Sequence, residues 1–398
     1  MDSKFIYYIF EYNSKMPGVN KKVASKIIEL RKVGIPIKAL LIYTNENEDL
    51  SEYPDIIFEK VYFNAVGKTR KILKNRFLSF INVYSEQKKY FRFIYKKLRT
   101  KEFSLVIKRY GNLDISAYWF VRKIKGKIIF ELNTIQFEQN KKEWKFRSVL
   151  SSPSWISYVL YSELLYGRKC LDKAKAVVAV SKEIADNTIK RLREKERNKV
   201  HIVSNGINTN QIDSVTPKWN DELNMLMIRG VDSDWHGVDI VLESMKHSSK
   251  KLQLFVVGEV SKEKENPNVI YTGRLNAEEI SALIIKNNIH IGLGSMALFR
   301  AGLNEASPLK VRDYLSRGLP VVLNYYDTDL SEDESFLKEY CFSFNDEMNL
   351  DEVYDWFKNL YFNKKEYVNN IKNWAEKNVG MNVKIKQYAD IINNALLE

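Results

Sequence analysis

The sequence predicts an α/β protein built from two doubly wound parallel sheets in series. Short apolar runs alternate with helical patterns along the chain, the order that builds strand–helix–strand units. One run, Ala176-Val-Val-Ala-Val, is apolar throughout, as a strand covered on both faces has to be. In the second half nearly every predicted strand ends at a glycine, at the carboxyl edge where such sheets bind ligands. A length of 398 residues suits two domains, each large enough to bury its own core.

Phe5–Phe10 reads as the first strand, followed by a turn at Pro17-Gly18. Val19–Val33 reads as a helix, with Val23, Ile27, Ile28 and Leu30 on one side and Gly34 as its stop. Ile37–Tyr43, Leu105–Tyr110, Lys127–Glu131 and Ala176–Val180 follow as strands. The turn-prone Ser204–Asn210 and then Pro217 mark the connection between the halves. Beyond it, strands are predicted at Asn224–Ile228, Leu252–Val257, Val269–Thr272, Ile289–Leu293 and Val321–Asn324. Helices are predicted at Val238–Met245, Ala277–Lys286 and Pro308–Ser316, with a final amphipathic helix at Met381–Leu397.

Cys170 and Cys341 are far apart and form neither a ligand spacing nor a disulfide framework; both read as thiols of a reducing compartment. His201, His236, His247 and His290 are scattered, so no protein-built metal site is expected. The apolar run at Phe5–Phe10 is too short for a signal peptide, and no segment reaches the ~20 apolar residues of a membrane span. The expected location is the cytoplasm.

The net charge is +13, and it is localised. Lys60 to Lys101 holds thirteen Lys and Arg residues against Glu86 alone, interleaved with Tyr62, Phe63, Phe77, Phe80, Tyr84, Tyr90, Phe91, Phe93 and Tyr95. Cations with aromatics suit an anionic lipid surface, which makes a peripheral place on the inner face of the cell membrane the favoured expectation. A solvated basic face over a core of aromatics is the plainer alternative. Nucleic acid would feel the same charge but is not the expected partner.

The densest chemistry lies in Gly302-Leu-Asn-Glu-Ala-Ser-Pro-Leu-Lys-Val-Arg-Asp. Ser307 reads as an N-cap and Pro308 as the first helical residue. The free N–H groups after them, with Lys310 in the first turn, make a diphosphate site. Glu305, just before the cap, can accept hydrogen bonds from sugar hydroxyls. Asp313, about a turn and a half into the helix, can reach a ribose diol.

This segment resembles the E-x7-E motif of the glycosyl transferases group 1 family, the family 4 type: retaining enzymes of the GT-B fold. Here Asp313 replaces the usual second Glu and shortens its reach by one methylene. Ser307-Pro308-Leu309-Lys310 and Gly318-Leu-Pro-Val-Val fit the same pattern. So do Val177–Glu183, the Asn205-Gly206 connection, Gly230 with Trp235-His236-Gly237, Leu254–Gly258 and Val269–Arg274. The likeness is strongest over residues 175–325. Upstream it is carried by Pro17-Gly18-Val19 and by Glu131-Leu-Asn133-Thr134 followed by Glu138.

The resemblance implies two Rossmann-like domains facing an interdomain cleft: 1–203 for the acceptor and 204–380 for a nucleotide sugar. A helix, 381–398, would pack back on the first domain. It implies a sugar transferred from a nucleotide-diphosphate donor to a glycan or lipid-linked glycan acceptor in cell-surface polysaccharide synthesis, with no metal or other cofactor. Glu305 and Lys310 would be catalytic. Arg229, Gly230, His236, Gly237, Gly258, Arg274, Ser307, Pro308, Leu309 and Asp313 would hold the donor.

The family usually contacts the diphosphate with an Arg and a Lys after its first C-terminal strand; here Val231 follows Gly230 and His236 stands where the Lys is expected. Structural roles for Arg229, His236 and Arg274 stay open. In the first half no histidine takes the place many members give one. Gly18 and either Asn133 or Glu138 are the acceptor-side candidates, with a plain turn or structural role as the alternative. The rival functions are a nucleotide-sugar epimerase of the same architecture and a non-catalytic scaffold that binds sugar or lipid.

Overall fold

The computed structural model describes residues 5–14, 17–43, 58–62, 76–111, 113–135, 137–138, 158, 160–209, 216–230, 233–259, 266–344 and 347–397. The chain divides into two compact units, 1–203 with 385–398 and 204–384.

In the first unit the strands are β1 (Phe5–Glu11), β2 (Ile37–Tyr43), β3 (Phe58–Tyr62), β4 (Phe103–Arg109), β5 (Ile128–Leu132), β6 (Ala176–Ala179) and β7 (Val200–Ile202). They form a parallel sheet in the order β3-β2-β1-β4-β5-β6-β7. The helices are α1 (Pro17–Lys32), α2 (Arg76–Arg99), α3 (Ile115–Lys123), α4 (Arg168–Lys173) and α5 (Lys182–Arg191). A π-turn at Glu163–Gly167 precedes α4. The apolar runs are strands because both faces of the sheet are covered: Ile6 to Phe10 are all buried. Gly34 ends α1 with φ +87°, a left-handed conformation that glycine adopts without penalty. Asp114 caps α3 by accepting from the N–H groups of Ser116 and Ala117.

The second unit holds β8 (Leu223–Ile228), β9 (Leu252–Val257), β10 (Val269–Gly273), β11 (Ile291–Leu293), β13 (Val321–Leu323) and β15 (Cys341–Ser343), and two short strands, β12 (Glu305–Ala306) and β14 (Tyr326–Asp327), that pair with each other. Its main sheet is parallel in the order β10-β9-β8-β11-β13-β15. Around it lie α6 (Val238–His247), α7 (Ala277–Lys286), α8 (Leu309–Ser316), α9 (Glu334–Tyr340), α10 (Leu350–Asn363) and α11 (Tyr367–Val379). The last helix, α12 (Met381–Leu397), closes the chain. The core joins β8, β9, β11 and β13 to Val311, Tyr314 and Leu315 of α8.

Helix α8 is fastened from inside. Arg312 is fully buried and pairs with Asp327 and Asp329, and its Nε donates to Asn205 O at 3.3 Å. Asp329 also accepts from Ser204 Oγ at 2.7 Å and Lys384 Nζ at 2.6 Å. Tyr314 packs where a Cβ on Gly292 would meet its ring at 2.3 Å, and its hydroxyl accepts from Ile228 N at 2.7 Å. The helix is thereby tied to the end of β8.

The basic stretch resolves into β3 and α2, neither of which is predicted from the sequence pattern. Residues 63–75 lie outside the described residues. Phe91, Ile94 and Leu98 of α2 are buried, at helical spacing on one side. Of the aromatics expected at a lipid surface, Phe91 turns inward and packs on Phe120, while Tyr62, Tyr84, Tyr90, Phe93 and Tyr95 are partly buried. Lys89, Arg92, Lys96 and Arg99 form the exposed stripe of α2.

Candidate functional site

Strand order in the second unit reverses between β8 and β11, the point where a doubly wound sheet opens a crevice beyond its carboxyl ends. Three of the four candidate cations gather there. Arg229 directly follows β8, is buried, and is held by its N–H to Val257 O at 2.7 Å. His236 lies in a 3₁₀ turn before α6. That turn is pinned by Met296 N donating to His236 O at 3.0 Å and Ala297 N to Trp235 O at 3.2 Å. Lys310 is in the first turn of α8, with Nζ 3.2 Å from His236 Nδ1. Burial, and then the charge of Arg229, lower its ammonium to about 7. A polyanion arriving here would meet cations and the N–H groups of a helix start together.

Arg274 does not join them. It follows the edge strand β10, is largely exposed, and pairs with Glu259 at 3.0 Å.

The structure corrects the expected cap. Pro308 is the N-cap of α8, in an extended conformation (φ −78°, ψ 137°), and Leu309 is its first residue. Ser307 is buried, and its hydroxyl accepts from the Asn205 N–H at 2.8 Å while its carbonyl accepts from the Asn205 side chain. Ser307 therefore seats the 204–206 segment instead of capping the helix. Glu305 sits two residues earlier on β12, partly buried. Asp313 is engaged by Arg317 one turn on, with Nε to Oδ2 at 3.0 Å and Nη2 to Oδ1 at 3.2 Å. A ribose would have to share that carboxylate with a guanidinium.

Two of the donor-loop glycines have internal reasons. A Cβ on Gly237 (φ +70°) would lie 2.9 Å from Ala297 N, so glycine lets the His236 turn close on residues 296–297. A Cβ on Gly258 (φ +123°) would lie 2.2 Å from Arg229 O. The close approach predicted after these strands is, at Gly258, one of chain to chain. At Gly230 a Cβ would meet nothing.

In the first unit Gly18 falls inside the first turn of α1 rather than in a loop, and a Cβ there would meet nothing. No crowding calls for glycine. Asn133, just past β5, accepts from Lys22 Nζ at 2.8 Å. Glu138 is partly buried six residues beyond β5. Glu131 is a structural anchor: buried, it takes Lys26 Nζ at 2.5 Å and the hydroxyl of Tyr8. Burial pushes its carboxyl up, but Lys26 and the tyrosine hydroxyls outweigh that and hold it at about 2.

Sequence reading missed Asn205 as the partner of Ser307 and Arg317 as the partner of Asp313. The Asp313–Arg317 spacing of four on a predicted helix was a usable signal; the link to Asn205 spans a hundred residues and had none.

The whole chain matches solved structures of this architecture. It aligns with the lipopolysaccharide outer core galactosyltransferase WaaB at a TM-score of 0.63 and 14% identity, over 98% of this chain and 99% of that one. It aligns with sucrose-phosphate synthase from Thermosynechococcus elongatus at 0.66 and 11%, over 98% of each. With Anabaena HepE in complex with UDP and glucose the values are 0.63 and 13%, over 97% and 99%. The chain has the GT-B fold. No family model matches it, and no curated protein matches it by sequence. At these identities the likeness carries the fold, and chemistry has to be argued from the site. In this GT-B chain, Arg229, His236 and Lys310 are what the second sheet presents at its switch point.

Proposed function

We propose that this protein is a retaining glycosyltransferase. It moves a sugar from a nucleotide-diphosphate donor to a glycan or lipid-linked glycan acceptor in cell-surface polysaccharide synthesis. The observation that carries the reading is the meeting of Arg229, His236 and Lys310 at the start of α8. As the bond from the anomeric carbon to the donor phosphate breaks, negative charge grows on the departing diphosphate. Preorganised cations and helix N–H groups aimed at it lower the barrier, and in this reading Lys310 and the helix end supply that charge without a metal. Glu305, two residues before Ser307, is assigned to the hydroxyls of the transferred sugar. Retention rests on the resemblance of the Glu305–Asp313 segment. The fold neighbours add support: one is described as a galactosyltransferase of lipopolysaccharide, another was solved with UDP and glucose.

Membrane contact belongs to the same proposal. No helix among the described residues is long and apolar enough to cross a membrane. The exposed stripe of Lys89, Arg92, Lys96 and Arg99 enters no ion pair among the described residues. Beside it, Lys123 of α3 lies over the Tyr95 ring and Arg122 over Trp119. Trp119, Tyr161, Leu164 and Leu165 are all half exposed or more. Exposed apolar and aromatic groups among cations suit an anionic bilayer.

A panel of nucleotide sugars screened by thermal shift finds the donor. Acceptor-dependent release of nucleoside diphosphate then establishes transfer, and Glu305→Ala should abolish it. A protein that no nucleotide sugar stabilises, or whose turnover survives Glu305→Ala, is not this enzyme. The Asp313–Arg317 pair favours one second reading, a non-catalytic scaffold. In that case donor binds and no diphosphate is released with any acceptor.

A further inference from the structure

The turn that carries His236 cannot set its own geometry. It is a 3₁₀ turn of three residues, Asp234–His236, held within itself by His236 N to Ser233 O at 3.2 Å and Gly237 N to Asp234 O at 3.1 Å. A turn that short takes its shape from what grips it. The segment that supplies the Met296 and Ala297 N–H groups also supplies a side chain. Arg300 lies in the next 3₁₀ turn, Leu298–Ala301. Its Nη1 donates to Asp234 O at 3.0 Å and to Asp239 Oδ1 at 2.9 Å, and its Nη2 donates to Asp239 Oδ2 at 2.8 Å. Asp239 is in the first turn of α6. A single guanidinium thus bridges the residues on either side of His236.

Stability does not account for this clasp. The Arg300 and Asp239 side chains are 33% and 49% exposed, and exposed ion pairs contribute little. Buried Leu298 already anchors the second turn, and buried Val241 and Leu242 anchor α6. What a planar, two-pronged guanidinium adds is fixed geometry at low entropic cost. Nor is Arg300 a spare cation for an anionic ligand. Its hydrogen bond to Asp239, helped by its charge, outweighs burial and keeps that carboxyl below its ordinary value. The same bond raises the guanidinium in turn. At neutral pH the two charges are present and cancel. The site behind them is sensitive to position: Lys310 Nζ meets His236 Nδ1 at 3.2 Å, and a misplacement of about 1 Å can cost about a hundredfold.

We propose that Arg300 is a positioning residue: through Asp234 and Asp239 it holds the His236 turn against Lys310, and it touches no ligand itself. Asp239 is the other half of the device. That the positioned groups serve a nucleotide diphosphate rests on the transferase reading; that the clasp sets the His236 turn does not.

Two measurements on the full chain test it. Hydrogen exchange without nucleotide reads the turn: Arg300→Met and Asp239→Asn should each speed exchange of the Gly237, Met296 and Ala297 amides about tenfold, while the amides of β8 and β9 keep their wild-type rates. Calorimetry with UDP reads the site. Arg300→Met should weaken UDP about tenfold, and Arg300→Lys, which keeps the charge without the fork, should weaken it nearly as much. Asp239→Asn should weaken it too, although it removes a negative charge; were Arg300 acting on the diphosphate by charge, this variant would bind UDP more tightly. In a Lys310→Met background, Arg300→Met should cost about threefold or less, because it acts through a group already lost. The proposal is overturned if exchange is unchanged in both variants, if Arg300→Met leaves UDP affinity at the wild-type value, if Asp239→Asn tightens UDP, or if Arg300→Met costs as much without Lys310 as with it. Failure of the wild type to bind UDP would sink the donor assignment, and exchange alone would then decide the clasp.

Discussion

Replacing Lys310 by methionine tests the donor site directly. Its ammonium lies between His236 and the field of Arg229, and its pKa has dropped to about 7. A bound diphosphate brings negative charge to that spot and should pull the proton back on. If only the protonated lysine binds, the free protein is about nine-tenths ready at pH ~6 and about one-tenth ready at pH ~8, so affinity for UDP should fall about tenfold between them. Near pH 7.5 binding should take up about three-quarters of a proton. Calorimetry of UDP binding in two buffers of different ionisation enthalpy reads both quantities. Lys310→Met should flatten the pH slope, remove the proton uptake and cost about 10- to 100-fold in affinity, the worth of one hydrogen bond to a charged group. Subtracting the variant also removes the titration of the UDP phosphate.

The sign for stability runs the other way. A lysine whose folded pKa is depressed penalises the empty fold fully below about pH 7, and the penalty lifts as pH rises toward the ordinary lysine value. Lys310→Met should therefore leave the melting temperature at neutral pH unchanged or raised. UDP affinity whose pH dependence and strength are the same in Lys310→Met as in the wild type would refute the reasoning.

Other consequences follow from the same structure. Arg312→Met strands Asp327 and Asp329 without their fully buried guanidinium; urea unfolding should show a loss of about 3–5 kcal/mol, and a loss below about 1 kcal/mol would contradict the role given to the pair. Glu131, held at about 2 against an ordinary value of 4.5, stabilises the first unit above the ordinary value and loses that contribution as pH falls toward 2. Glu131→Gln should remove about 3 kcal/mol at neutral pH and flatten the acid limb of the stability profile between those values. Reversing three charges of the α2 stripe, Lys89→Glu with Arg92→Glu and Lys96→Glu, should cut binding to phosphatidylserine vesicles at least 100-fold, at about 1 kcal/mol for each cation lost. Equal flotation of variant and wild type would locate membrane contact elsewhere or nowhere.

Local pattern made most of the sheet framework legible. β2, β9, α7 and α12 run between the residues the periodicity marks, because apolar runs closed by glycine or a capping residue are decided within a few positions. The motif around Ser307 and Lys310 was equally visible. α2 was not: its charges dominate the composition, and Phe91, Ile94 and Leu98 are recognisable as an inner face only once Phe120 of α3 lies against them.

Two parallel α/β sheets were legible in the chain, and with them the glycines and the cation-bearing helix start at the carboxyl edge of the second. Strand identity and helix ends follow from neighbours in the chain. Which polar groups meet came from the fold: His236 and Lys310 touch while Arg274 pairs with Glu259, Ser307 serves Asn205 rather than its own helix, and Asp313 is already held by Arg317. Those outcomes depend on strand order and on which pairing best offsets the loss of water around each group. Distance along the chain does not encode them.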